Sequence, residues 1–252
     1  MIRGLYTAVS GLITQQSKQE VVTNNIANVN TVGFKSDKIA LESFKEVLIQ
    51  NYDGSSGGGK KQELGGLSLG SRIDETITSF TQGVIEDTGN EKDFAILGRG
   101  FFTMARNGNR FFSRDGSFNV DNQGFLVSST GDRVLGVNTS SNEITPIYVG
   151  KGNINLNNNN IYIDNNLSYS FYTVDFDSYD NLEKIGDNLY SGEGSFRANC
   201  EVKQNALEKS NVNVVNEMLE MMTVMRNFES NQKVVQIIDE TLSKAANEVG
   251  RI

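Results

Sequence analysis

The chain has 252 residues, 37% of them hydrophobic, with 31 acidic against 23 basic side chains and a formal net charge of −8. That length can bury a real core, in one large domain or two small ones, and the acidic balance repels the phosphate backbones that a nucleic-acid binder must attract. Histidine is absent and Cys200 is the one cysteine, which excludes imidazole-based nucleophile–base pairs, an intrachain disulfide and a multi-cysteine zinc site.

In the opening MIRGLYTAVSGLITQQSKQE, polar residues break the apolar run and no small-residue cleavage site follows, so no cleaved signal is expected. No stretch reaches the roughly 20 apolar residues of a membrane span, and the chain is expected to be soluble or assembled rather than embedded. Leu5, Val9 and Leu12 follow Ile2 at steps of three and four, the spacing of a coiled-coil seam, with Tyr6 and Ile13 widening the stripe. The same register continues through Gln16, Gln19 and Thr23, so the seam is polar in its middle.

This helix runs into NNIANVNTVGFKSD, residues 24–37. Asn and Gly take left-handed or irregular backbone most easily, and an amide both donates to and accepts from main-chain groups. The expectation is that Asn24, Asn25, Asn28 and Asn30 satisfy a broken backbone, Gly33 permits a sharp turn and Phe34 anchors it, with contacts to neighbouring molecules; simple helix capping without such contacts is the alternative. A second helix is predicted from about Ser36, with Ile39, Leu41, Phe44, Val47 and Leu48 as its apolar side.

Residues 53–66, DGSSGGGKKQELGG, read as a flexible glycine-rich connector. Gly54 to Lys61 nearly spells a phosphate-cradling loop, but Lys61 replaces the required hydroxyl, no strand precedes it and no apolar helix follows. Residues 67–209 are broken into short strand-like runs by Asn107-Gly108, Asp115-Gly116, Gln123-Gly124 and Thr130-Gly131, so repeated hairpins are predicted. Residues 150–160, rich in asparagine, read as an exposed loop or a poorly specified edge, and Tyr169 to Phe176 as a strand. RGFFTM, from Arg99, approaches an RNA-stacking signature and DFDSYD, from Asp175, a calcium loop. Phe102 and Tyr179 stand where those patterns require other residues, leaving core strand and solvated turn as the simpler readings.

Residues 210–252 form the clearest helix, with Asn213 as its cap. Stepping by four and three from Val214 gives Met218, Met221, Met225, Phe228, Gln232, Val235, Asp239, Leu242, Ala246 and Val249, a coiled-coil-like seam, though an amphipathic helix packed on its own domain would show the same stripe. Val224, Val234, Ile237 and Ile238 add apolar surface in other directions. Ordering each backbone residue costs about 1–2 kcal/mol, so so long a helix needs partners along its length, and the polar amino-terminal seam alone does not suffice.

The chain resembles the flagellar basal-body rod and hook family. NNIANVNTVGFK matches that family's amino-terminal motif, residues 81–102 and 111–136 are similar to its core segments, and SNVNVVNEMLEMMTVMRNFESNQKVVQ, residues 210–236, resembles its carboxy-terminal motif. The resemblance implies an α+β fold in four parts. Residues 1–52 and 210–252 would be the helical parts of a coiled-coil-like axial domain, 53–66 the connector, and 67–209 a mainly antiparallel β-rich outer domain. It further implies a non-enzymatic structural subunit with no catalytic, metal or cofactor site, exported by the flagellar type III apparatus. Such a subunit self-associates with proximal and distal rod siblings into a helical drive shaft around the export channel, in the periplasm. Chain length and the absence of a large inserted domain look like a rod protein rather than the hook subunit, and the wording RNFESNQK with the moderately long connector before residue 81 favours the proximal-rod type, with the distal-rod type as the alternative. The residues expected at subunit interfaces are Leu5, Val9, Leu12, Asn24, Asn25, Asn28, Asn30, Gly33, Phe34, Val214, Met218, Met221, Met225, Phe228, Val235 and Leu242.

Overall fold

The structure is a computed structural model that describes residues 2–52, 61–157, 159–164, 166–198 and 200–249. It is α+β and divides into two units: Met1–Ile26, Asp37–Thr78 and Asn213–Ile252 make the first, and Ala27–Ser36 with Ser79–Val212 the second. The chain therefore leaves and re-enters each unit. Residues 67–78 belong with the helices, and 27–36 with the β-rich unit.

The first unit holds the two long helices, α1 (Ile2–Ala27) and α2 (Val214–Lys244), the latter followed by a π-helical turn at Ala245–Val249. Asn213 caps α2 as expected, its side-chain oxygen accepting from the N–H groups of Val215 and Asn216 at 3.1 and 3.2 Å. The helix predicted after Ser36 does not form. Residues 37–52 are instead strands β1 (Asp37–Ser43) and β2 (Val47–Tyr52), paired antiparallel with β4 (Ser71–Thr78) and β3 (Lys61–Leu67). Leu41, Phe44 and Leu48 do keep helical spacing, but each segment has an antiparallel partner further along the chain, and Ile39, Val47 and Ile49 bring the branched side chains that strands favour. The connector expectation also fails over Lys61–Gly66, which lie in β3, while 53–60, and with them most of the phosphate-loop lookalike, fall outside the described residues.

The polar residues that interrupt the apolar stripe of α1 have a use within this unit. Thr7 donates to the Leu69 carbonyl at 2.9 Å, Ser10 accepts from the Ser71 N–H at 3.4 Å, and Thr14 and Ser71 share a hydroxyl contact at 3.4 Å. Spaced by three and four, they form one face of α1, and that face seats the turn between β3 and β4.

The second unit is a mainly antiparallel β structure. Its strands in chain order are β5 (Ile85–Asp87), β6 (Phe94–Leu97), β7 (Phe101–Arg106), β8 (Asn109–Ser113), β9 (Asn119–Val120), β10 (Leu126–Val127), β11 (Arg133–Asn138) and β12 (Ile144–Pro146). There follow β13 (Ile154–Asn157), β14 (Asn160–Ile163), β15 (Asn166–Phe171), β16 (Thr173–Asp175), β17 (Glu183–Gly186), β18 (Leu189–Ser191), β19 (Phe196–Arg197), β20 (Glu201–Gln204) and β21 (Ala206–Glu208). The spine of the main sheet runs β13-β14-β15-β11-β7-β8-β18-β17, while β20 pairs with β6 and β21 with β5. Asn107 and Gly108 take φ of 52° and 85°, the left-handed pair that closes a two-residue hairpin between β7 and β8, as the Asn-Gly signal predicts.

Alternation along β7 divides the core. Phe102 and Met104 join the larger cluster with Phe94, Phe118, Leu126, Val134 and Ile147, whereas Phe101 packs with Phe112, Val174, Phe176 and Tyr190 on the other face. RGFFTM is thus core strand, and Asp175, at the start of DFDSYD, takes the Arg99 side chain and the Tyr179 hydroxyl. Residues 150–160 are not merely an exposed loop. Ile154 is buried, β13 pairs with β14, and Asn159, at φ 64°, joins β20 by accepting from the Val202 N–H at 2.8 Å and donating to the Cys200 carbonyl at 2.5 Å.

Candidate functional site

In the first unit the two helices run antiparallel, with a register that three pairs define. Gly4 lies against the Ile238 side chain, Gly11 against Asn231, and the Asn25 amide donates to the Glu217 carboxylate at 3.2 Å. Seven residues forward on α1 match seven back on α2, and fourteen match fourteen. Glycine at 4 and 11 admits the opposite helix closely. Burial pushes the Glu217 carboxyl above its usual range, and the Asn25 hydrogen bond opposes that shift.

The covered face of α2 differs by part of a turn from the predicted seam. Val214, Glu217, Met221, Val224, Phe228, Asn231, Val235, Ile238 and Leu242 are buried or half-buried, and every other described residue from 214 to 247 is exposed. Five expected positions, Val214, Met221, Phe228, Val235 and Leu242, lie on this face. Met218 and Met225, 52% and 48% exposed, do not, and their places are taken by Glu217 and Val224. Stepping from one apolar residue to the next selects methionine over glutamate. The actual face is chosen by the partner helix, where Asn25 and Gly11 accommodate the polar Glu217 and Asn231. The outward side keeps its own apolar stripe, Val215, Met218, Leu219, Met222 and Met225, at helical spacing. On α1, Leu5 and Leu12 are half-buried and Val9 is 38% exposed.

The expected asparagines separate into different tasks. Asn25 is buried and uses its amide as a strand would, accepting from the Asp37 N–H at 3.0 Å and donating to the Asp37 carbonyl at 2.9 Å. Asn28 accepts from the Thr31 hydroxyl at 3.1 Å, whereas Asn24 and Asn30 are exposed. The same bridging of main chain by an amide recurs in the second unit, where Gln82 ties Ile96 to Gly98 and Gln204 ties Ile154 to Leu156. Asn211 ties Ser36 to Ser79.

Residues 27–36 are built into the second unit. Gly33 takes φ 67° and donates to the Glu208 carbonyl at 2.7 Å; Phe34 is buried, with the Lys184 ammonium 4.1 Å from its ring centre. Lys35, which sequence reasoning passed over, carries the strongest contacts. Its ammonium, fully buried, donates to the Glu208 carboxylate at 2.6 Å and to the Thr81 carbonyl at 2.8 Å. Glu208 also accepts from Arg114 at 3.2 Å and from the Gly83 N–H at 2.8 Å. A basic residue next to the apolar Phe34 in the turn was the one available signal. Its partner lies 173 residues away, beyond any local pattern.

Gly33, Phe34 and Asn25 thus spend their packing and hydrogen bonds inside the chain. No group of three or more acidic or sulfur side chains positioned for a metal occurs among the described residues, and no helix there is long and apolar enough to cross a membrane.

Comparison with known proteins accounts for these features. The family "Flagella basal body rod protein" matches residues 5–35, "Flagellar hook protein FlgE/F/G D1 domain" matches 95–174, and "Flagellar basal body rod FlgEFG protein C-terminal" matches 203–248. The first match spans most of α1 and the loop to Lys35, and the last holds Glu208 and α2. The chain is 33% identical to flagellar basal-body rod protein FlgG of Bacillus subtilis, over 98% of this chain and 99% of that protein. It is 30% identical to flagellar basal-body rod protein FlgF of Caulobacter vibrioides and to flagellar hook-basal body complex protein FlhO of B. subtilis, over the full length of each. The chain belongs to the FlgF/FlgG family of flagellar basal-body rod proteins.

Proposed function

We propose that the chain is a structural subunit of the flagellar basal-body rod, polymerising with copies of itself and with rod siblings through the outward faces of its terminal helices. The family is structural and non-enzymatic. The observation that carries the reading is the apolar stripe Val215, Met218, Leu219, Met222 and Met225, which α1 leaves exposed on a helix already paired along its opposite face. A helix apolar on two sides calls for two neighbours, and an interface that does not close on itself propagates as a helical polymer. Steps of three and four along α2 support coiled-coil-like packing in that polymer, with Val9 and the exposed Asn24 and Asn30 among the surfaces offered to neighbours. Torque would pass through this packing, in a rod spanning the periplasm, and delivery would be through the flagellar type III export apparatus.

The proximal rod is the position supported by the wording RNFESNQK, and similarity to a FlgF protein over full length is compatible with it. The distal rod stands as the second reading, supported by 33% identity to a FlgG protein.

The test replaces Met218 and Met225 together by Asp in the chromosomal copy. Both residues face outward, so the purified variant is expected to keep its circular dichroism and unfolding midpoint while cells lose rods and swimming. Normal motility and rod assembly would refute the assignment of this stripe. Gold labelling along isolated basal bodies separates proximal from distal placement.

A further inference from the structure

We propose that Glu208 is a late-closing latch: the segment after α1 docks onto the β-rich unit only when the strand carrying Glu208 has arrived and paired. Residues 33–36 meet the Thr81 carbonyl through the Lys35 ammonium and the Ser79 N–H through the Ser36 carbonyl, each at 2.8 Å, and further bonds run to 208–211. The Gly33 N–H goes to the Glu208 carbonyl at 2.7 Å, the Lys35 ammonium to the Glu208 carboxylate at 2.6 Å, and the Ser36 N–H to the Asn211 side chain at 2.8 Å. Glu208 is itself held by the pairing of β21 with β5 and by the Gly83 N–H.

Charge makes the dependence strict. Lys35 and Arg114 are cations with fully or almost fully buried side chains, and both hydrogen-bond to the same carboxylate. Without Glu208 two like charges would share a desolvated site with no counter-charge, which is among the costlier arrangements in a protein interior. Removing Lys35 instead leaves Arg114 and Glu208 as a balanced pair. Glu208 is therefore indispensable for docking, whereas the Lys35 ammonium is not. Because the counter-charge lies 173 residues further along the chain, and long-range contacts are rewarded only after loop closure has been achieved, the Gly33 turn lacks its latch until nearly the whole polypeptide is present. On the rod reading, a subunit threaded out amino terminus first would thereby be kept from setting that turn early. Docking itself is a property of the isolated chain and is measured without assembly.

The experiment is hydrogen exchange on the full-length protein, read at the Gly33 and Ser36 amides and at amides of β7, β8 and β11. In pulse-labelled refolding of the unmodified protein, protection at Gly33 and Ser36 is expected to appear after that of the sheet. Simultaneous or earlier protection overturns the proposal. At equilibrium, Glu208→Gln is expected to lose protection at Gly33 and Ser36 by about a hundred-fold or more, the scale for breaking a buried ion pair from one side, with the sheet amides preserved. Lys35→Met is expected to keep it. Native protection in Glu208→Gln, or equal loss in the two variants, also overturns the proposal. If Glu208→Gln does not fold, the order of protection in the unmodified chain decides alone.

Discussion

Gly11 of α1 faces Asn231 of α2 so closely that a Cβ added at Gly11 would lie 2.8 Å from the Asn231 side-chain nitrogen. The obstructing atom is the free end of a flexible side chain, and it can swing away. Alanine also improves helix propensity by about 1 kcal/mol over glycine. Gly11→Ala is therefore expected to leave the urea midpoint unchanged or raised, and Gly11→Leu to lower it by forcing the helices apart. A fall with alanine would mean that Asn231 has no room to move.

The same substitution at Gly33 has the opposite sign. Its φ is 67°, and a Cβ would come within 2.5 Å of the Asp115 amide nitrogen and 2.6 Å of the Arg114 carbonyl carbon, backbone atoms that cannot rotate aside. Backbone strain and overpacking each cost about 1–3 kcal/mol, so Gly33→Ala is expected to destabilise the β-rich unit by about 2–4 kcal/mol. Thermal unfolding followed by near-ultraviolet dichroism would check this, and a loss below about 1 kcal/mol would contradict the fixed turn.

At Asn25 the amide stands in for a missing strand partner, engaging both the N–H and the carbonyl of Asp37. Asn25→Leu fills similar space but removes both hydrogen bonds to the Asp37 main chain, each worth about 0.5–1.5 kcal/mol. Asn25→Asp retains an acceptor, cannot donate to the Asp37 carbonyl, and sets a carboxylate beside Glu217. Both variants should unfold at lower urea than the unmodified chain, and exchange at the Asp37 amide should accelerate more in leucine than in aspartate. Equal acceleration would deny the acceptor its role.

What was legible in the sequence was local. The Asn213 cap, the Asn107-Gly108 turn and the three-four spacing of α2 each depend on residues within a few positions of one another, and each appears as read. The phase of the α2 face was not legible, because Asn25 and Gly11 select Glu217 and Asn231 from more than 190 residues away. Strands β1 and β2 look helical at Leu41, Phe44 and Leu48, and the partners β4 and β3 that make them strands follow only across a glycine-rich stretch. Lys35 is illegible for the same reason: a lysine after Gly-Phe looks like solvated charge until Glu208 and Arg114 close around it. Of the amides at 24–30, Asn25 makes the expected main-chain bonds, to Asp37.

That buried lysine also gives stability a pH dependence of definite sign. Burial, opposed by the Glu208 carboxylate and its hydrogen bond and reinforced by Arg114, holds the Lys35 ammonium below its ordinary value of 10.5. The unfolded chain then keeps its proton up to 10.5, while the folded chain releases it earlier, so between those limits the unfolded state binds more protons and stability rises with pH. Below the folded value the lysine's unfavourable contribution is fully present and constant. Lys35→Met removes the titration and leaves every other ionisable group in place. The difference in unfolding free energy, unmodified chain minus Lys35→Met, should therefore be flat at the low end of the range, climb as pH approaches 10.5 and level off beyond it. Urea titrations of both proteins at matched pH values measure this difference directly. A difference that falls with pH would show that the ion pair with Glu208, rather than desolvation, governs the buried ammonium.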